Sequence, residues 1–179
     1  MRKTNWRWVI SITLIAIVTS MVFSLISSEI LDGAGYFVAV LLLLTFIAIG
    51  IIFDMLGVAV TAAREAPFHS MASHKEYGAA EAIRLVRASE RVSSICNDVV
   101  GDISGIVSGA TAAVLAANFT RDFSLSAVIT QLVVTGLVAG LTIGGKALGK
   151  SLAINRNTEI VLLAGKVSAF FSGGGKKKK

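Results

Sequence analysis

Three carboxylates stand where a carboxylate is expensive. Asp54, Asp98 and Asp102 each interrupt an otherwise apolar run, and Lys146 stands at the end of another. A charged side chain at the centre of a bilayer costs about 2.5–3.5 kcal/mol on insertion scales, so it normally faces protein or water and serves an ion path. Asp98 and Asp102 are four residues apart and fall on one helical face. Ser94, Gly101, Gly105 and Ser108 share that face, which predicts a polar, small-residue stripe turned inward. Carboxylate, hydroxyl and backbone oxygens are the ligands a hard cation such as Mg²⁺ takes. In the plainer alternative the aspartates pair with Lys146 or Arg91 near one interface, orient the helices and bind nothing.

Other groups carry less. His69 and His74 are five apart and do not share a helix face as a zinc pair would, and no HExxH frame exists. Cys96 reads as a small packing residue; a single cysteine also excludes an intramolecular disulfide framework. Asn118-Phe119-Thr120 matches a glycosylation sequon but lies close to an expected membrane boundary. No phosphate loop, nucleophile elbow or kinase signature is present, so catalysis is not expected.

The elements that must position the aspartates are membrane spans. The chain of 179 residues is 54% hydrophobic with mean hydropathy +0.76. Only 16% is charged, against about 25% in an ordinary soluble domain. Apolar runs of 18 or more residues read as transmembrane helices. The expected fold is all-α and polytopic: four spans, at residues 8–27, 36–62, 95–117 and 125–145, plus an amphipathic juxtamembrane helix over 146–172 lying along the membrane surface. The polar stretch 63–94 is expected to be cytoplasmic, and residues 173–179 form a glycine-rich, lysine-ended tail. Residues 1–35 hold the first span and an outer loop. A charged start followed by an apolar stretch also describes a signal peptide. The stretch is longer than a typical h-region, however, and Ser27-Ser28-Glu29 is a weak cleavage site, so the span is expected to be retained.

Charge asymmetry orients the spans, because cytoplasmic loops carry the excess of Lys and Arg. With both termini inside, every basic residue but Arg121 is cytoplasmic, from Arg2, Lys3 and Arg7 to the four terminal lysines, while Glu29 and Asp32 mark the first outer loop. The expected location is the cell membrane, inner or plasma. The net charge of +6 then meets anionic lipid headgroups and no nucleic acid partner. Gly101, Gly105 and Gly109 recur every four residues in the third span, and Gly136, Gly140 and Gly144 in the fourth. Small residues at that spacing let helix backbones approach closely in lipid, so a tight bundle or a homodimer is expected.

Three stretches, in this order, resemble the membrane domain of the CNNM/CorB/CorC proteins. The exit of the fourth span, Gly145-Lys146-Ala147-Leu148-Gly149-Lys150-Ser151-Leu152-Ala153, followed by Asn155-Arg156-Asn157-Thr158-Glu159, is similar to the family's G-E-x-x-P-K-[ST]-L-A and R-N-P-E-like step. Phe53-Asp54-Met55-Leu56-Gly57-Val58-Ala59-Val60-Thr61 resembles F-S-A-x-E-T-A-L-T, and a basic, alanine-rich segment (71–87) follows. Gly101-Asp102, or Asp98 in a slipped register, resembles the start of a G-N-x-x-x-N stretch. The resemblance covers residues 39–171. It implies three spans plus a juxtamembrane helix, a homodimer, and divalent-cation (Mg²⁺/Co²⁺) transport, generally efflux. It also implies that the family's serine, asparagine and glutamate ligands correspond to Asp54, Asp102 and Lys146, and its motif proline to Gly149. An ammonium in place of a ligand carboxylate opposes a cation by about 4 kcal/mol per unit charge product at 4 Å and an effective dielectric near 20. Lys146 is therefore expected either to swing out toward the interface or to occupy the site as an internal counter-ion. The second case would leave a non-transporting scaffold or regulator that binds a membrane or cytoplasmic protein partner. No CBS-like stretch follows residue 171, so nucleotide regulation through such a domain is not expected.

Overall fold

The computed structural model describes residues 6–31 and 35–172. Arg2, Lys3, Asp32 and the lysine tail, which entered the charge argument above, lie outside the described residues. The chain is all-α, with no strand among the described residues: α1 (Trp6–Leu31), α2 (Tyr36–Ala62), α3 (Glu65–Ser73), α4 (Ala79–Arg87), α5 (Ser89–Ser94), a π-helical stretch (Ile95–Gly101), α6 (Asp102–Phe123), α7 (Ala127–Asn155) and α8 (Asn157–Phe171). Four helical segments are long and apolar enough to cross a membrane: Trp6–Glu29, Tyr36–Ala62, Ser89–Phe123 and Ala127–Asn155. In hydrocarbon every backbone N–H and C=O must be satisfied within the segment, which is why such runs are helical.

Several boundaries differ from those expected. The fourth span does not stop at Gly145. Lys146, Ala147, Leu148 and Lys150 are good helix formers, and α7 continues through them to Asn155. The helix expected from Lys146 starts instead at Asn157, after Arg156 (φ −123°, ψ 33°) leaves the helical region. The third span is extended at both ends and carries the π-helical stretch, whose wider i→i+5 turns leave no mark in apolar periodicity.

The chain forms two compact units. In the first, residues up to Ile51 with Asp98–Gly145, α6 is the central element. Its buried face runs Ile103, Ser104, Val107, Ser108, Thr111, Ala112, Leu115 and Ala116. On one side Ile103 and Val107 pack with Phe46, Ile12, Ala16 and Phe23, and the Phe23 and Phe46 rings meet edge to face at 5.7 Å. On another, Ala112 and Leu115 pack with Ala39, Leu43, Ile47 and Val138. Thr111 spends its hydroxyl hydrogen on Val107 O, so Ser27 is the donor in the 3.2 Å bond joining α1 to α6. At the far end of α6, Tyr36 stacks on Phe119 at 4.6 Å and donates its hydroxyl to Asp122.

In the second unit, Ile52–Asn97 with residues from Lys146 on, the core is Ala59, Val60, Phe68, Ala82, Ala153 and Val161. Pro67, the only proline, falls in the first turn of α3 where no intrahelical N–H is lost. α4 and α8 touch backbone to backbone. A Cβ on Gly165 would collide with Gly78 O and lie 2.9 Å from Ala82 N, and Gly78 itself holds φ 85°. Around this core Glu65 accepts from Arg87 at 3.0 Å and sits 3.2 Å from His69. Those two contacts, Arg87 first, hold the Glu65 carboxyl below its ordinary range.

Candidate cation site

Asp54 is the one of the three expected aspartates that is buried, at 6% exposure. It lies 18 residues into α2, about 27 Å of helix at 1.5 Å per residue, which for a helix spanning a bilayer core about 30 Å thick would be near one face. The ammonium beside it belongs to Lys150, whose Nζ stands 3.7 Å from Asp54 Oδ2. Lys146, expected in that role, is one helical turn earlier on the same face of α7. At 3.7 Å the contact is an ion pair without a hydrogen bond, and Asp54 Oδ2 is buried with no hydrogen-bond partner.

A second buried oxygen without a partner belongs to the same unit: Asn97 Oδ1. Asn97 lies on the π-helical stretch and donates its Nδ2 to Ser93 Oγ at 3.2 Å. That bond fixes the amide so that its carbonyl points away from Ser93. The carbonyl packs directly against Gly57 of α2: a Cβ there would overlap Asn97 Oδ1 and lie 2.8 Å from Asn97 Cγ. Gly57 and Asp54 are i, i+3 neighbours, whose Cβ positions are about 5–6 Å apart. Glycine at 57 thus admits an amide oxygen one turn from the buried carboxylate.

Asp98 and Asp102 are not part of this arrangement. Both are exposed and belong to the first unit. The stripe expected to turn inward is divided: Gly101 and Ser108 are buried, Ser94 and Gly105 half-buried, while Asp98 and Asp102 face out. The physical reason is visible along α6. Ile103, Val107 and Leu115, with the hydroxyls of Ser104 and Thr111, take the interior, and carboxylates remain where desolvation costs less. Among the described residues no group of three or more His, Cys, Asp or Glu side chains is placed to hold a metal ion. The chain has no matching family model, curated relative or solved structure.

Within the chain the described glycines of the two stripes make no close helix contact. A Cβ on Gly105, Gly109, Gly136, Gly140 or Gly144 would meet nothing within 4 Å. Gly105, Ser108 and Gly109 instead border an open groove of about 230 Å³, with Thr135, Ala139 and Thr142 opposite. The glycines that do admit close neighbours are Gly50 against Ser104 Cβ at 3.2 Å, Gly145 against Ile51, and Gly57, Gly78 and Gly165. The Asn118 sequon lies inside α6, with Thr120 Oγ1 donating back to Ala116 O at 2.9 Å.

Asn97, Ser93, Gly57 and Lys150 were missed by the sequence reading, which followed charge. The available signal was an amide inside an apolar span with a serine four residues before it on the same face.

Proposed function

We propose that this chain is a multi-pass protein of the cell membrane, both termini cytoplasmic, that binds a cation at Asp54 and Asn97 in the course of moving it across the bilayer. The observation that carries this reading is Asp54 itself: a carboxylate in an apolar span, nine-tenths buried, with one oxygen unbonded. A buried, unsatisfied carboxylate costs stability that an apolar residue would not, and cation binding is the chemistry that uses it. The concentration of basic residues on one side supports the orientation. The resemblance to the CNNM/CorB/CorC membrane domain points to the same activity, makes Mg²⁺ the first divalent ion to try, and implies a homodimer.

A second reading is favoured by one contact. Lys150 already stands beside Asp54, as a built-in counter-ion would in a non-transporting scaffold or regulator that works through a membrane or cytoplasmic protein partner. The readings separate in a proteoliposome flux assay run beside calorimetry on the purified chain, with Mg²⁺ and Na⁺ as probes. Transport predicts saturable binding and flux, both lost in Asp54→Ala. A folded wild type that binds and moves neither ion leaves the scaffold.

A further inference from the structure

The site just described carries a single negative charge. Asp54 supplies it, and the other unpartnered oxygen, Asn97 Oδ1, is a neutral amide. Lys150 Nζ, 3.7 Å away, balances the charge to zero. The group seated beside the carboxylate is thus already a monovalent cation, a primary ammonium. From this charge count we infer that the cation taken up in place of Lys150 is monovalent, an alkali ion or an ammonium group, and not a divalent metal; the inference rests on the cation-binding reading above.

Three features support it. Exchanging one monovalent cation for another keeps the buried charge at zero, whereas a divalent ion would leave an uncompensated positive charge in a low-dielectric setting. Mg²⁺ demands a near-octahedral shell of oxygens at about 2.0–2.1 Å, usually one or two carboxylates with retained waters. This site offers one carboxylate and one amide, and among the described residues no cluster of three acidic, His or Cys side chains supplements them. Lys150 is also built to leave. Its side chain is 52% exposed while that of Asp54 is 8% exposed, and an unbranched four-carbon stem can carry the ammonium out to water while its methylenes stay on the apolar surface. Because the pair lacks a hydrogen bond, the Asp54 Oδ2 lone pairs remain open to the incoming ion, and Asn97 Oδ1, admitted by Gly57, is the second ligand.

The test is equilibrium binding of radioactive ²²Na⁺ to the full chain in nanodiscs, competed with K⁺, methylammonium and Mg²⁺ at constant ionic strength. Circular dichroism and size-exclusion profiles report that each variant is folded. Wild type should bind Na⁺ weakly, Lys150→Met about tenfold or more tightly, and Asp54→Asn not at all. Monovalent ions should compete at lower concentrations than Mg²⁺. Asn97→Asp, which adds a second negative charge, should invert that order in favour of Mg²⁺. Mg²⁺ displacing Na⁺ most effectively from wild type and Lys150→Met would overturn the monovalent assignment while leaving cation binding intact. Absence of any cation binding in folded wild type and folded Lys150→Met would overturn both.

Discussion

Gly165 and Gly140 have the same side chain and opposite surroundings. Gly165 lies on α8 in the second unit, where a Cβ would collide with the backbone of Gly78 and Ala82. Gly140 lies on α7 in the first unit, in a regular four-residue series with Gly136 and Gly144, and a Cβ there would meet nothing from another element within 4 Å. The regular series is what sequence reading favours, yet the isolated glycine makes the close contact. Spacing reports that a helix face is small. Only the opposing element decides whether something uses the space.

Gly165→Val should damage the fold most. The added carbons meet backbone atoms, which cannot rotate away, and overpacking of this kind costs about 3 kcal/mol. Hydrogen exchange on the full chain should show α4 and α8 losing protection together; unchanged protection would remove the contact from the argument. Gly57→Ala meets a side-chain amide that can turn aside, and the helical gain of alanine over glycine offsets part of the strain. Its net effect on thermal stability should stay within about 1 kcal/mol, while cation binding weakens because Asn97 Oδ1 is displaced. Gly140→Ala should stabilise the single chain by about 0.5–1 kcal/mol, the ordinary cost of glycine inside a helix. A loss of stability in that variant, at a concentration where the protein self-associates, would show that a second copy packs on this face.

The smallest effect concerns the second unit's surface. The Glu65 carboxyl is held below its ordinary value of 4.5, chiefly by Arg87 and then by His69. A group with a depressed folded value contributes stability above its unfolded pKa and loses it as pH falls through the folded one. Below about pH 4.5 the wild type should therefore lose a little stability that Glu65→Gln, lacking the titration, does not show. Parallel acid unfolding curves for the two proteins check this.

The apolar runs made much of the fold legible. Tyr36–Ala62 was readable to the residue, because a polar or small residue marks each end of a run that is apolar except at Asp54 and Thr45. α7 was read ten residues short, since Lys146 looks like a membrane boundary and a helix has no reason to stop there. That Asp54 alone of the three aspartates is buried was not legible, because all three stand in similar apolar surroundings. Nor was its partner: Lys146 and Lys150 are i, i+4 on one face of one helix, so periodicity cannot separate them, and only the placement of α7 beside α2 within the second unit selects Lys150. Asn97 was hidden because an amide carries no charge, and because the π-helical turn that presents it has no compositional signature.

The hydrogen bond between Ser27 and Thr111 sets a clock on biosynthesis. Its two residues are 84 positions apart, and at roughly 5–20 residues per second the ribosome delivers Thr111 roughly 4–17 s after Ser27. During that interval α1 stands in the bilayer without α6, the helix it will pack against. Its sequence suits the wait, because no ionisable residue occurs from Trp8 to Ser28. A serine hydroxyl in a helix can meanwhile turn back onto its own backbone, as Ser28 does toward Leu25 O. The bond from Ser27 to Thr111 can therefore form only after the segment carrying α6 has emerged.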